Sequence, residues 1–429
     1  MLHIEDPQIR QLLLNGNFGL EKESLRVDEH GFLSHTRHPF PDDDHIVRDF
    51  CENQTEINTP VTHSAAEAVA SLEQYYQKIQ RGLSRLSPRE YLWPFSNPPY
   101  IRNEDDVPVA IFEGGRASKT TYREYLSDRY GRYKMAFSGI HFNYSFAEEL
   151  LEREFALSGE ADYTEFKNQF YVELAERAVA YGWLLISVTA ASPLLDSSFV
   201  EKGKFDQDYF SGMASVRCGE MGYWNFFAPI LDYTNIRTYA DSIQRYVDDG
   251  LISSPTELYY PIRLKPRGKN ILSVLRDQGV DHIELRMFDL NPLVPCGIEE
   301  KDVVFAQLLL AWLAATPREP FAHKDQVQAV QNFKNAAHYD LKTVKISMPD
   351  GEVTSVASAA LRVLDMMREF YRGYPADIQE VLDFETEKFI DGENRYAWKI
   401  RKQFADGYVK KGLELAKKRQ EELCANSLA

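Results

Sequence analysis

Two glutamates two residues apart, Glu21 and Glu23 in NFGLEKESLRV, are the first residues whose spacing asks for chemistry. Positions i and i+2 of a strand share a face, so an extended reading sets two carboxylates side by side, where they repel. In DHIELRMFDLNP, His282, Glu284 and Arg286 alternate with Ile283, Leu285 and Met287. In SGIHFNYSF, His141, Asn143 and Ser145 alternate with Ile140, Phe142 and Tyr144. A third acidic segment, IVRDFCENQTEINTP, carries Asp49, Glu52 and Glu56; Asp49 and Glu56 have opposite parity, so a bulge or bend must aim both inward. Taken singly, each acid reads as a surface charge, and one polar strand face of an antiparallel sheet commonly meets water. As a set, Glu21, Glu23, Asp49, Glu56, His141 and Glu284 offer hard oxygen donors and one imidazole. Such donors suit magnesium or manganese rather than zinc. A divalent cation among them explains why the two glutamates are neighbours.

The elements that must position these residues are short extended segments at 17–28, 46–58, 138–146, 213–219, 258–265 and 281–289. Helical periodicity is strongest at 65–86, 164–190, 299–316, 325–340 and 355–374, and from Ala376 onward only Asp391-Gly392 interrupts it. Strands and helices are intermixed without a βαβ rhythm. The expected fold class is therefore α+β with a largely antiparallel sheet. With no repeat, low-complexity tract or clear linker, residues 1–429 read as a single catalytic domain, of which 320–429 is a mainly helical C-terminal part.

Composition narrows the function. The chain has 429 residues, 44% apolar and 27% charged, an ordinary soluble balance. Its 65 acids against 49 bases give a formal charge of −16, which argues against non-specific nucleic-acid binding. The four cysteines, Cys51, Cys218, Cys296 and Cys424, have neither zinc-knuckle nor disulfide-framework spacing. No signal peptide is visible, and a cytoplasmic location is expected. The uncharged run from Ala178 to Leu195 is diluted by Ser187, Thr189 and Ser192-Pro193 and follows an amphipathic helical stretch. It reads as a buried core helix rather than a membrane span. No G-x-x-x-x-G-K-[ST] and no G-x-G-x-x-G occurs; Gly203-Lys204 and Gly268-Lys269 lack the rest. Phosphate chemistry would have to rest on metals and arginines.

Seven segments in order, GLEKESLRV, DFCENQTEINTP, YLWPFSNPPYI, YREYLSDRYG, SGIHFNYS, ELYYPIRLKP and IELRMFDLNP, resemble the bacterial glutamate–cysteine ligase family. They span roughly residues 15 to 300; the helical remainder matches in general character only. The resemblance implies a glutamine-synthetase-like antiparallel sheet curled into a funnel lined by acidic metal ligands and surrounded by helices. It also implies ATP-dependent ligation of the L-glutamate γ-carboxylate to the L-cysteine amine, through γ-glutamyl phosphate, with Mg2+ or Mn2+ as cofactor. On the family's metal-ligand positions fall Glu21, Glu23, Asp49, Glu56, His141 and Glu284. Arg286 falls on the position that stabilises the transferring phosphoryl, and Tyr122, Arg217, Tyr223 and Tyr259 on positions lining the amino-acid pocket. Cys51, inside the acidic segment, reads as a small buried residue. Some relatives carry a fused second ligase module, which is not expected in this sequence; the partners expected are small molecules only. Two other readings compete: a sister ligase joining the same activated carboxylate to another amine, and an inactive binding homologue. The intact acidic set with Arg286 speaks against the second, since a pure binder has no use for repelling charges.

Overall fold

The computed structural model describes residues 2–41, 43–319 and 321–425. Its strands are β1 (Gly16–Val27), β2 (Ile46–Arg48), β3 (Gln54–Asn58), β4 (Tyr91–Leu92), β5 (Gly139–Phe146), the two-residue β6 (Leu195–Asp196) and β7 (Asp208–Tyr209), β8 (Ile262–Lys265), β9 (His282–Asp289), β10 (Lys345–Ser347) and β11 (Val353–Ser355). Seven of them form one antiparallel sheet in the order β2-β3-β1-β5-β9-β8, with β4 pairing β1 beside this path. The sheet is open, with β2 and β8 at its edges; β6–β7 and β10–β11 are separate two-stranded ribbons. The α+β, antiparallel expectation holds.

Period-two alternation divides the sheet into two faces. Phe18 and Leu20 of β1, Ile140, Phe142 and Tyr144 of β5, Ile283 and Leu285 of β9, and Ile262 and Leu264 of β8 are all buried in the main core. They pack under the helices Ala65–Ser84, Tyr163–Tyr181 and Trp183–Thr189, and Glu300–Ala315 lies behind these. Removing so many large apolar side chains from water is what holds the sheet against its helical layer. The opposite face is left to the polar residues.

Several elements differ from expectation. The 46–58 segment is a hairpin: Asp49 N–H donates to the Gln54 carbonyl at 3.3 Å and Gln54 N–H to the Cys51 carbonyl at 3.0 Å. This is the bend that the parity of Asp49 and Glu56 required. The helical run 164–190 breaks at Gly182, where a Cβ would lie 2.7 Å from the Ala178 carbonyl oxygen and 2.9 Å from the Phe333 ring. Residues 178–195 are buried throughout. Among the described residues no helix is long and apolar enough to cross a membrane. Pro261, which has no N–H for a ladder, precedes the strand in 258–265, and only Ile262–Lys265 pairs. Segment 213–219 is not a strand. After Gly212 (φ +82°) it makes only isolated backbone bridges, Met213 with His338 and Ser215 with Ser192, and then turns; the Ser215 hydroxyl donates to Asp289 at 3.0 Å and accepts from Cys218 N–H at 3.1 Å.

The C-terminal part is helical, at His323–Ala336, Val356–Phe370, Ala376–Ile390, Tyr396–Phe404 and Tyr408–Ala425. Besides the break after Ile390 there is one at Asp406 and Gly407, both with positive φ (60° and 128°). The last helix returns to β4: Tyr408 Oη donates to the Asn97 carbonyl at 2.7 Å and Gln420 Nε2 to the Glu90 carbonyl at 2.8 Å.

Candidate active site

The polar face of the sheet floors a cavity of about 500 Å³. Register explains how its charges meet. β1 puts Glu21 opposite His141 of β5 and Glu23 opposite Glu56 of β3. Glu284 of β9 pairs with Asn143 of β5. The β5–β9 register then shifts by one residue across His141. Such a bulge re-aims side chains, and Glu284 and Arg286 both reach the imidazole. His141 Nδ1 lies 3.1 Å from Glu21 Oε2, 3.7 Å from Glu284 Oε1 and 3.4 Å from the Arg286 guanidinium, and His141 Nε2 lies 3.8 Å from Glu23 Oε1. Neighbouring groups fix the acids. Asn143 Nδ2 donates to Glu21 at 3.0 Å, Gly139 N–H to Glu23 at 2.9 Å, and Arg286 to Glu284 at 3.0 Å. Lys265 Nζ is 3.2 Å from the same Glu284 oxygen.

The electrostatics sort these acids into two groups. Burial raises Glu284, but the charges of Arg286 and Lys265 outweigh it and hold the carboxyl well below its ordinary range. For Glu21, burial is likewise overcome by the His141 hydrogen bond, and the value is lowered. Glu23 and Glu56 go the other way. Burial and the Asp49 charge push Glu23 up to about 8, and burial with the charges of Asp49, Glu21 and Glu23 raises Glu56 well above the usual range. Burial and the Arg286 charge lower His141, which favours the neutral imidazole, the form that ligates metals.

Among the described residues one group has the geometry to hold a cation: ligand atoms of Glu21, His141 and Glu284 all lie within 4.8 Å of one another. Glu284 Oε2 is buried with no hydrogen-bond partner. A buried, ionised oxygen left unpaired is costly, and a divalent cation would satisfy it. The donor set fits magnesium or manganese.

All eleven residues assigned to metal, phosphoryl or amino-acid binding line this one cavity: Glu21, Glu23, Asp49, Glu56, His141, Glu284, Arg286, Tyr122, Arg217, Tyr223 and Tyr259. Arg217 is anchored by donating to the Arg286 carbonyl at 2.9 Å and the Phe288 carbonyl at 3.4 Å. The Tyr223 and Tyr259 rings are 4.0 Å apart, and Tyr122 stacks on Tyr125. Glu52 turns away, taken by Arg48 at 2.9 Å and by His38 N–H at 2.8 Å. Cys51 is buried, and burial pushes its thiol up, so it is inert. Sequence reasoning passed over Arg123, Arg263, Lys265 and Asn270, which also line the cavity. The alternation of Arg263 and Lys265 with Ile262 and Leu264 is the signal that would have found two of them.

The architecture is an open antiparallel sheet whose polar face gathers carboxylates and arginines around one cavity. A family model described as glutamate-cysteine ligase matches residues 1–249 and 226–336, and the chain belongs to that family. It is similar to the glutathione biosynthesis bifunctional protein GshAB of Listeria monocytogenes (serovar 1/2a), 35% identical over 437 residues, covering 97% of this chain and 56% of that protein. The chain thus spans about half the length of the curated relatives it matches. A solved bifunctional glutathione synthetase from Pasteurella multocida superposes with a TM-score of 0.84 at 26% identity, over 98% of this chain and 54% of that one. The glutamate–cysteine ligase of Francisella tularensis, solved in complex with AMP, shares the fold, with a TM-score of 0.85 at 23% identity over 95% of this chain and 89% of that one.

Proposed function

We propose that the chain catalyses ATP-dependent formation of γ-glutamylcysteine from L-glutamate and L-cysteine, releasing ADP and phosphate, as the first step of glutathione biosynthesis in the cytoplasm. The observation that carries this reading is the convergence, in a member of this family, of six metal-type donors, Arg286, Arg217 and three tyrosines on one cavity. The AMP complex of the Francisella relative supports a nucleotide as one substrate. Family membership favours cysteine over other acceptor amines.

In the first step an oxygen of the glutamate γ-carboxylate attacks the γ-phosphorus of ATP, and the bond to the β–γ bridging oxygen breaks to release ADP. In the second the cysteine nitrogen attacks the acyl carbon, the carbon–oxygen bond to phosphate breaks, and the nitrogen loses a proton. Both anions of the first step must be brought together, and phosphoryl transfer depends mainly on positioning and charge neutralisation. Arg286, held against Glu284, presents its planar fork to the phosphoryl oxygens. Arg217, fixed on β9 carbonyls, keeps N–H groups for a substrate carboxylate, and Tyr122, Tyr223 and Tyr259 wall the amino-acid end. Glu21, Glu23, Asp49, Glu56, His141 and Glu284 would hold Mg2+ or Mn2+. The bound ion would supply charge neutralisation between carboxylate and triphosphate.

The test is product analysis with ATP, glutamate, cysteine and Mg2+. ADP, phosphate and γ-glutamylcysteine are expected. Release of AMP and pyrophosphate would mean adenylation and overturn the acyl-phosphate route. A panel of amines in place of cysteine separates the sister-ligase reading, which predicts faster turnover with another acceptor.

A further inference from the structure

Glu257 is wholly buried, yet it does not line the cavity and takes no part in the steps proposed above. A carboxylate removed from water is costly unless neighbouring groups replace the solvent. Three residues do so here. Ser253 donates its N–H at 2.6 Å and its hydroxyl at 2.9 Å, Tyr130 donates its hydroxyl at 2.8 Å, and Arg129 Nε stands 2.8 Å away.

These partners belong to two different segments of chain. Ser253 and Glu257 flank a short turn, and two residues further on Tyr259 walls the amino-acid end of the cavity. Arg129 and Tyr130 close the helix Ser118–Tyr130. On that helix Tyr122, Tyr125, Leu126 and Arg129 fall on one face, because residues three and four apart are neighbours. The stripe that puts Tyr122 and Leu126 on the cavity therefore ends on Glu257.

The helix has little else to fix its angle. Of its 13 residues only Leu126 is buried. One apolar side chain contributes little orientation, so polar ties must set it. Arg123 donates to the Asp49 carbonyl at 2.6 Å, and Arg129 also donates to the Leu251 carbonyl. Asn225 completes the joint with Glu257. Its Nδ2 donates to the Tyr130 hydroxyl at 3.2 Å and to the Glu257 carbonyl at 2.8 Å, while its Oδ1 accepts from Tyr259 N–H at 2.8 Å. The Tyr130 ring meets Tyr259 edge-on at 5.2 Å.

We propose that Glu257 is a positioning residue for the amino-acid substrate: it ties the end of helix Ser118–Tyr130 to the Tyr259 segment and so fixes the gap between Tyr122 and Tyr259. The inference rests on the reading of the cavity as a ligase site and adds what holds its amino-acid end at a set width. Without the tie the helix leans away and that end opens. The carboxylates of β1, β3 and β9 stay where the sheet holds them, so the metal and nucleotide are little affected.

Substrate binding and steady-state kinetics test this with three variants. Glu257→Leu removes the acceptors, Glu257→Gln keeps one, and Tyr130→Phe deletes a single hydroxyl while keeping the ring against Tyr259. Calorimetry of L-glutamate and of L-cysteine, with Mg2+ and a non-hydrolysable ATP analogue present, reads binding without turnover. Glu257→Leu and Tyr130→Phe should each weaken binding of at least one amino acid, and raise its KM, by about tenfold. The KM for ATP should stay within about twofold, and Glu257→Gln should regain most of the loss. A purely structural role would instead lower the active fraction and kcat at unchanged KM. Tyr130→Phe decides the matter if Glu257→Leu does not fold. Unaltered amino-acid affinity in the folded variants, or an equal loss for the ATP analogue, overturns the positioning role. Selective loss of amino-acid binding in a protein that forms no amide would uphold that role and overturn the proposed ligation.

Discussion

Glu23 and Glu56 face each other as a direct cross-strand pair between β1 and β3, two carboxylates where a sheet usually avoids like charges. The pair is tolerable only because burial and mutual repulsion keep protons on it, or because a cation displaces them.

Glu23→Gln should therefore separate function from stability. Turnover is expected to fall by about 100-fold or more, because a charge that positions and neutralises the reacting anions is lost. The melting temperature without ligand should stay equal or rise, since repulsion is relieved. Steady-state rates and thermal denaturation check both halves, and near-wild-type turnover would sink the metal-ligand reading of Glu23.

The same pair sets a pH dependence. Glu23 stands near 8 in the folded chain, against roughly 4.3 for a free glutamate. A value raised on folding means a stabilising contribution that is complete below the unfolded value and is lost as pH rises through the folded one. Glu56 is raised too and acts in the same direction. In chelator, the melting temperature should fall between about pH 5 and pH 9. Mg2+ should recover most at the alkaline end, and its binding should release protons, measurable as a buffer-dependent binding enthalpy. A buffer-independent enthalpy would contradict the protonated pair.

Gly139 makes room for Arg217. A Cβ on Gly139 would fall 2.3 to 2.5 Å from three guanidinium atoms. The obstructed group is the far end of a flexible side chain, so Gly139→Ala should fold normally and displace the guanidinium instead. The expected result is a KM for an amino-acid substrate raised by about tenfold or more, with the KM for ATP little changed. A variant with unaltered amino-acid KM would show that Arg217 does not hold a substrate carboxylate.

Far from the cavity, Lys388 is buried between Asp302 at 3.0 Å and Glu385 at 2.8 Å, and also donates to the Val188 carbonyl at 3.0 Å. It ties helix Ala376–Ile390 to helices Glu300–Ala315 and Trp183–Thr189. Lys388→Met strands two buried carboxylates and should cost about 3–5 kcal/mol of stability. Turnover of the folded fraction at low temperature should be near normal. Denaturant titration beside an activity assay distinguishes this from a catalytic role.

Much of the site was legible in the residues because strand parity is a local property. Glu21 with Glu23, and Glu284 with Arg286, share faces whatever the rest of the chain does, and the hydrophobic alternation said which face was buried. The opposite parity of Asp49 and Glu56 announced a bend, which proved to be the β2–β3 hairpin. The helix positions followed from periodicity for the same local reason. Breaks at Gly182 and at Asp406-Gly407 did not, because they answer to contacts with Phe333 and to backbone angles that no pattern of apolar residues encodes. Segment 213–219 is not a strand because its backbone makes only isolated bridges, to Ser192 and His338, before the Ser215 side chain turns to Asp289 of β9, 74 positions away. Which strands adjoin, the one-residue slip across His141 and the arrival of Lys265 at Glu284 were decided only by tertiary structure. These depend on burying one face of a seven-stranded sheet under its helices, an energy summed over the whole core and belonging to no single segment.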